Sequence, residues 1–328
     1  MRSLIDRAGR GFFSVLFALT VACGQASAQT FPTGPVRVIV AFAAGGVTDT
    51  LARLVSQGLS ELWGQPVVVD NRPGAAQVSA VQAVSKSAPD GYTLLVTADT
   101  TVTANPVLYS KLPYVPAKDL TPIVPLGDIM PVIAANAALP FKTFADMLSY
   151  AKSNPGKLSY GSPGVGTYNH LSMEDIKHRT GVDLLHVPYK GAAPAVSALA
   201  SGELSLLLIN ISSVDAFEKS GKIRVIASAG KGRIPARPEM QAVAEYGLPG
   251  FYTGSWFGMF GPAGLPAALV QRIHADVSKI LDSPKTRQFF ATNAFVRMDK
   301  TPAEFSQLIR DDLAHWEALI KATGTKLD

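Results

Sequence analysis

The sequence predicts an α/β protein built on parallel, doubly wound sheets. Three observations predict it. Three β-loop-α units with short connections follow one another between Val36 and Thr101. A second α/β set runs from Leu158 to Ala227. In both sets the strands deliver Gly, Asn, Asp and hydroxyl residues to their carboxyl ends, where ligands sit in open α/β sheets. The 328 residues allow two domains of ordinary size, and 47% hydrophobic against 17% charged residues is enough for well-buried cores.

Residues 1–28 read as a secretory signal. Arg2, Arg7 and Arg10 precede the apolar run from Phe12 to Ala22, and Ala26-Ser27-Ala28 is a small-residue cleavage site. The run is too short for a comfortable transmembrane helix. Cys23 is the only cysteine, so cleavage after Ala28 leaves a cysteine-free chain suited to an oxidising compartment. Thr20-Val21-Ala22-Cys23 loosely resembles a lipoprotein cleavage box, but Thr20 stands where a larger aliphatic is usual, so an exported chain without lipid on Cys23 is the preferred reading. The formal charge is +5; without the amino-terminal segment it is about +3, weak for nucleic-acid binding.

Val36 to Phe42 is an apolar, β-branched run, a buried strand. Ala43-Ala44-Gly45-Gly46 is a tight turn where backbone approaches a ligand closely. Thr48 or Asp49 then caps a helix carrying Leu51, Leu54, Val55, Leu59 and Leu62. Strand, small-residue loop and helix start make either an anion cradle or an ordinary βα turn. Val67 to Val69 is the second strand, running into Asp70 to Ala76 and a helix-like segment from Gln77 to Lys86. Tyr92 to Val96 is the third, ending in Thr97-Ala98-Asp99-Thr100-Thr101. Prolines 106, 113, 116, 122, 125 and 131 mark an extended, crossing stretch. Thr143 to Asp146 is a short-side-chain capping box opening a helix that ends near Lys152.

In the second set, Leu158 to Tyr160 is a strand and Gly161 to Thr167 a loop rich in glycine and hydroxyls. A helix runs from about Tyr168 to Thr180, with Gly181 as its stop. Leu184 to Val187, Leu204 to Ile209 and Ile223 to Ala227 are strands, and a helix ends at Ser201. Trp256 to Phe260 precedes helices from Pro266 to Leu281, Pro284 to Thr292 and Pro302 to Ala322, the last capped by Thr301.

Enzyme signatures fail. Gly164-Val165-Gly166 lacks the third glycine of a dinucleotide loop, since Asn169 stands there, and no nucleotide P-loop occurs. Ser162 lies in Tyr160-Gly161-Ser162-Pro163-Gly164, where Tyr160 takes the place of a nucleophile elbow's first glycine. His170, Glu174 and His178 share a helix face, either half a metal site or a polar face with a capping His170. His186, at a strand's end, is a structural histidine or lines the cleft. Loops full of backbone donors without a nucleophile–base pair favour binding over catalysis.

These motifs together resemble the periplasmic solute receptors of tripartite tricarboxylate transporters, the Bug receptors. The resemblance is carried by Pro35 to Val40 with Ala44-Gly45-Gly46 and Asp49; by Val69 to Ala75; by Pro89 to Leu95; by Asn154 to Leu158 with Tyr160-Gly161-Ser162; by Gly164, Gly166, Thr167 and His170-Leu171; by His186 to Gly191; by Gly221 to Arg224; by Pro262-Ala263-Gly264; and by Thr301 to Phe305. It spans the chain from about residue 31 onward, in order and at family spacing.

The resemblance implies a periplasmic-binding-protein-like type II fold, two doubly wound α/β lobes with a ligand cleft between them. The first lobe would take roughly 29–128 and 252–328, the second 129–251. It implies a monomeric, non-enzymatic receptor that needs no cofactor, metal or nucleic acid. It would capture a small carboxylate and hand it to the membrane permease subunits of the transporter, or to a sensor. Ligand contacts are expected from Ala44, Gly45, Gly46 and Asp49 in the first lobe, and from Ser162, Gly166, Thr167 and His170 in the second. Ala98, Asp99, Thr100, Tyr189, Gly191, Asn210 and Ser212 would line the walls, and Phe42 either stacks beneath a ring or joins the core. Lys190 either adds charge or stands in solvent.

Two departures bear on the ligand. Asp99 stands where relatives carry a small neutral residue, and Ile209 where many have an aspartate. Both argue against a citrate-like tricarboxylate and leave a mono- or dicarboxylate, an aromatic acid or an amino acid. The competing reading is an exported hydrolase on the same scaffold using Ser162 and His170. A third is a scavenging surface protein that feeds no transporter.

Overall fold

The run Val36–Val40 forms β1 with every residue buried except Arg37. The computed structural model describes residues 31–230, 232–234 and 237–324; the signal segment 1–28, Cys23 included, lies outside them. From Pro35 onward the chain forms a single unit.

Helix α1 (Val47–Trp63) follows β1, then β2 (Val67–Asn71), α2 (Val78–Ser85), β3 (Thr93–Ala98), and short helices α3 (Asp99–Val102), α4 (Asn105–Leu108) and α5 (Pro116–Asp119). The proline-rich stretch is not merely a connector. It contains β4 (Leu120–Ile129) and runs at once into β5 (Pro131–Asn136). The second half holds α6 (Phe144–Ser153), β6 (Leu158–Ser162), α7 (Tyr168–Thr180), β7 (Leu184–Pro188), α8 (Ala192–Ser201), β8 (Leu206–Asn210), α9 (Asp215–Lys219) and β9 (Ile223–Ser228). The chain then returns through β10 (Trp256–Pro262), α10 (Ala267–Leu281), α11 (Pro284–Asn293), β11 (Phe295–Val296) and α12 (Pro302–Thr323).

The described residues form two sheets. The first has the order β11-β4-β10-β3-β1-β2 and the second β7-β6-β8-β5-β9. Strand β1 pairs in parallel with β2 and β3, and β6 with β7 and β8. Each parallel trio is extended by antiparallel strands, β10 and β4 in the first sheet and β5 and β9 in the second. The sheets are therefore mixed rather than wholly parallel. Strand β4 belongs to the first sheet and β5 to the second, so the chain crosses between them at Met130.

Capping chemistry sets several helix starts. Thr143 and Asp146 form a reciprocal capping box at α6, and Thr301 and Glu304 do so at α12 with Pro302 in the first turn. The start of α1 differs from expectation. Gly46 is the N-cap, and neither Thr48 nor Asp49 caps the helix.

On the first sheet, Ile39, Ala41 and Leu95 pack with Ala80 and Val84 of α2 and with Trp256, Phe260 and Phe305. The second sheet buries Tyr160, Leu206 and Leu208 against Phe144, Met147, Met173 and Ile176 on one face. Ala195 and Leu199 of α8 cover Val132, Leu207 and Ile209 on the other. A smaller cluster joins Ala104 and Leu108 to Leu171 of α7 and to Trp316, Leu319 and Ile320 of α12. Thus α12 ties the helix that opens the second set to the first sheet. Among the described residues no helix is long and apolar enough to cross a membrane.

Candidate ligand-binding site

The loop after β1 is fixed by one carboxylate. Asp49 Oδ2 accepts from the Gly45 amide at 2.9 Å and from Arg53 Nε at 2.9 Å. Its Oδ1 accepts from Asn71 Nδ2 at 2.9 Å, and the same Asn71 group donates to the Phe42 carbonyl. Burial opposes the charge of Asp49, but the bonds from Arg53, Gly45 and Asn71 outweigh it and hold the carboxyl below its usual range. Asp49 is thus turned into the protein and shapes the loop. Ala44, Gly45 and Gly46 are exposed, and Gly45 adopts φ +82°, which glycine takes without strain. By helix geometry the first amides of α1 have no partner inside the helix and carry its positive dipole end. Phe42 is half-buried and packs on the first core, so it is partly a core residue. Asn71, at the end of β2, braces this loop and was not selected from the sequence. Its signal was position: β2 lies beside β1 and ends level with Val40.

The loop after β6 is held from within. Ser162 is fully buried; its hydroxyl donates to the Gly164 carbonyl and lies 2.8 Å from His186 Nε2. Thr167 Oγ1 donates to the same Gly164 carbonyl, and Thr167 is the N-cap of α7. Gly166, at φ +78°, donates its amide to His170 Nδ1 at 3.2 Å. The amides of Tyr189 and Gly191 donate to the carbonyls of Ser162 and Pro163. These two therefore bind the loop after β7 to the loop after β6. By helix geometry the first amides of α8, at Ala192 and Ala193, have no partner inside the helix.

Two stacked rings lie behind this loop. His170 and His186 are 4.1 Å apart between centroids, and Tyr160 covers His186 at 4.8 Å. Burial, helped by the neighbouring His186, pulls His170 down to about 4, and burial lowers His186 as well, so both rings are uncharged near neutrality. The Tyr160 hydroxyl donates to Glu174, which also accepts from Lys177. Glu174, which shares a helix face with His170 and His178, is thus already engaged, and His178 is exposed. Among the described residues no group of three or more His, Cys, Asp or Glu is placed to hold a metal ion.

Ala98, Asp99 and Thr100 form the end of β3 and the start of α3, with Thr100 half-buried. Asp99 is 2% exposed and accepts from the Ser255 hydroxyl at 2.7 Å. Burial raises its carboxyl well above the usual range, and the charges of Asp312 and Asp128 push the same way. The neighbouring segment is tied at each step. Tyr252 bonds Asp128, Thr253 bonds Ser172 of α7, and Trp256 donates to Asp312. Asp99 therefore faces the return crossing between the sheets rather than an open wall. Asn210, at the end of β8, is buried; its Nδ2 donates to the Asn293 carbonyl, and its Oδ1 has no partner among the described residues. Ser212 is half-buried in the 3-10 turn that follows.

Strand pairing brings the strand ends together. The loops after β1, β2 and β3 are neighbours, because Val40 pairs with both Asn71 and Val96. The loops after β6 and β7 are neighbours, because Ser162 pairs with Pro188. Tyr168, first residue of α7, packs on the cluster of Ala104 and Leu108, and the charge of Asp99 acts on its hydroxyl. The start of α7 thus stands beside the end of β3.

Asp99 gives the first prediction. Its raised pKa means that the folded state keeps a proton the unfolded chain loses in the ordinary carboxylate range. Its contribution to stability accordingly falls as pH rises from that range toward the raised value. Asp99→Asn keeps an acceptor for Ser255 and removes the titration. Thermal melts at several pH values should show the variant more stable than the native chain, with the gain widening as pH rises; a uniform loss of stability would refute this.

Residues 51–325 match the family described as the tripartite tricarboxylate transporter family receptor. The chain belongs to this receptor family. A UPF0065 protein of Bordetella pertussis is 33% identical over 307 residues, covering 94% of this chain and 95% of the relative. Among solved structures, a Rhodopseudomonas palustris protein with adipate is 33% identical with a TM-score of 0.82, over 90% of this chain and 98% of that one. MatC of the same organism with bound malate is 32% identical at TM-score 0.77, over 88% and 100%. The periplasmic binding protein BugD is 29% identical at TM-score 0.79, over 90% and 99%.

The family consists of solute-binding receptors, and this chain is a receptor rather than an enzyme. The hydrolase alternative fails for a local reason too. Ser162 meets His186, not His170, and His170 already accepts the Gly166 amide.

Proposed function

We propose that this receptor captures a small organic carboxylate between two lobes and delivers it to the permease subunits of a tripartite tricarboxylate-type transporter. The observation that carries the reading is the loop Phe42 to Gly46. It presents the start of α1 outward while its one acid, Asp49, is drawn inward by three donors. A carboxylate needs hydrogen-bond donors on each oxygen, and a helix start supplies them without a salt bridge. The loop Ser162 to Thr167, with the first turn of α8, is the opposing half. Asn210 Oδ1, a buried acceptor, suits a ligand that brings a hydroxyl or ammonium donor.

In this reading the lobes are residues 29–128 with 252–328, and 129–251. The signal is cleaved after Ala28, and the mature chain acts in the periplasm as a monomer without lipid on Cys23. Relatives with adipate and malate support a small dicarboxylate or hydroxy acid as the ligand in this reading. Thermal melts against a panel of mono-, di- and tricarboxylates and amino acids test the proposal. At least one acid should raise the midpoint in a concentration-dependent way, because binding stabilises the folded state by mass action. A panel in which none does would overturn it.

A further inference from the structure

The loop after β6 is tied from behind by two imidazoles. Gly166 donates to His170 Nδ1 at 3.2 Å, so that nitrogen is an acceptor and carries no proton. Ser162 spends its one hydroxyl hydrogen on the Gly164 carbonyl, so the proton in the 2.8 Å pair with His186 belongs to Nε2 of the histidine. Two uncharged rings therefore fix Ser162 and Gly166 within one loop. Resting on the reading of that loop as a ligand cradle, we infer that His170 is a positioning residue for capture, and that a proton gained on its Nδ1 frees the loop and releases the ligand in acid.

The geometry leaves the proton little alternative. Once Nδ1 bears a hydrogen, it faces the Gly166 amide donor to donor. Gly166 is buried at φ +78°, so its amide turns only if the loop moves. The groups facing His170 are Glu174 and Lys177 of its own helix, His186 of β7 and Tyr160 of β6. Lys177 and a charged His186 both oppose a second positive charge, and the ring centroids are only 4.1 Å apart, so the two imidazoles titrate as a pair. Glu174 favours the charge, but it already accepts from Tyr160 and Lys177. The clasp is closed at neutral pH and opens near the value of about 4 to which His170 is pulled.

Two readouts test this. In the ligand-free protein, the Gly166 amide resonance should move with the same midpoint as the His170 ring. In His170→Asn, whose side-chain oxygen is an acceptor that does not titrate, that amide should stay still over the same range. With adipate as probe, affinity relative to His170→Asn at each pH should fall about twofold at about pH 4 and about tenfold one unit lower; the ratio cancels the titration of adipate itself. His170→Leu, which has no acceptor, should bind adipate about tenfold more weakly than either at neutral pH. The inference is overturned if His170 titrates without moving the Gly166 amide, or if His170→Asn shows the same acid loss as the native chain. Should adipate fail to bind at all, the reading of the ligand fails, and the amide measurement alone decides the clasp.

Discussion

Asp49→Ala is expected to weaken adipate binding by about tenfold to about hundredfold while the folded state loses only about 1 kcal/mol. One carboxylate serves the Gly45 amide, Arg53 and Asn71, and so joins the loop after β1 to its own helix and to the end of β2. Removing it strands three donors. Arg53 is more than half exposed and water replaces its partner readily, so that pair is worth little to stability. The Gly45 amide and Asn71 are different, because their bonds define the backbone path from Phe42 to Gly46. A loop of small residues with a glycine at φ +82° has many conformations to lose on binding once that bond is gone. The cost therefore falls on affinity more than on folding. Asp49→Asn should lie between, since an amide keeps one acceptor but sets a donor either beside Asn71 or beside both Gly45 and Arg53. Calorimetric titration of the three proteins measures the series; unchanged affinity in Asp49→Ala would show that this loop does not hold the ligand. Asp49 is also held below the usual carboxylate range, so it stays charged while pH falls toward 4, and acid release in that window is left to the histidines.

The parallel trios were legible because their strands are β-branched or apolar runs closed by glycine, asparagine or hydroxyl residues. The caps at Thr143 and Thr301 were legible because the reciprocal acid stands three residues on in each. The start of α1 was misplaced for a physical reason. Thr48 and Asp49 are good capping residues, but the loop before them has a glycine that reaches the cap position, and Asp49 at the third helical position bonds back to Gly45. Strand β4 was hidden by its prolines. Pro122 and Pro125 lack an amide hydrogen, and they pair with Phe260 and Gly258 where the register with β10 shifts, so the ladder gives way locally. The candidate loops were visible, but not which of their groups are already engaged. Asp99 and Ser255 are 156 residues apart in sequence, and the His170–His186 stack joins a helix to a strand across the sheet. No local pattern encodes such pairs, so the loops that carry Asp99, Tyr189 and Gly191 were legible but the bonds that engage the Asp99 carboxyl and the Tyr189 and Gly191 amides were not.

Gly258→Val is expected to cost about 3 kcal/mol or more and to lower the melting midpoint by about 5 °C. Gly258 lies inside β10, between β3 and β4, and a methyl group placed on it would stand 2.5 Å from Phe305 Cζ and 3.1 Å from Phe260 Cε2. Neither ring has room to retreat. Phe305 is fully buried, edge-on to Trp256 at 5.1 Å and packed on Phe260 at 5.4 Å. The strain would pass to α12, since Phe305 seats its first turns on the sheet and Asp312 bonds Trp256 farther along. That helix goes on to pack against α7, so the same change should disturb the crossing between the sheets. A double-mutant cycle separates this mechanism from a simple loss of strand geometry. Phe305→Ala alone should cost about 3–5 kcal/mol through its cavity. If the clash is the cause, the cavity accepts the valine, and the double variant should be more stable than the sum of the single losses by about 1 kcal/mol or more. Additive losses would mean that the ring and the glycine do not meet, and that α12 is held to the first sheet by something other than Phe305.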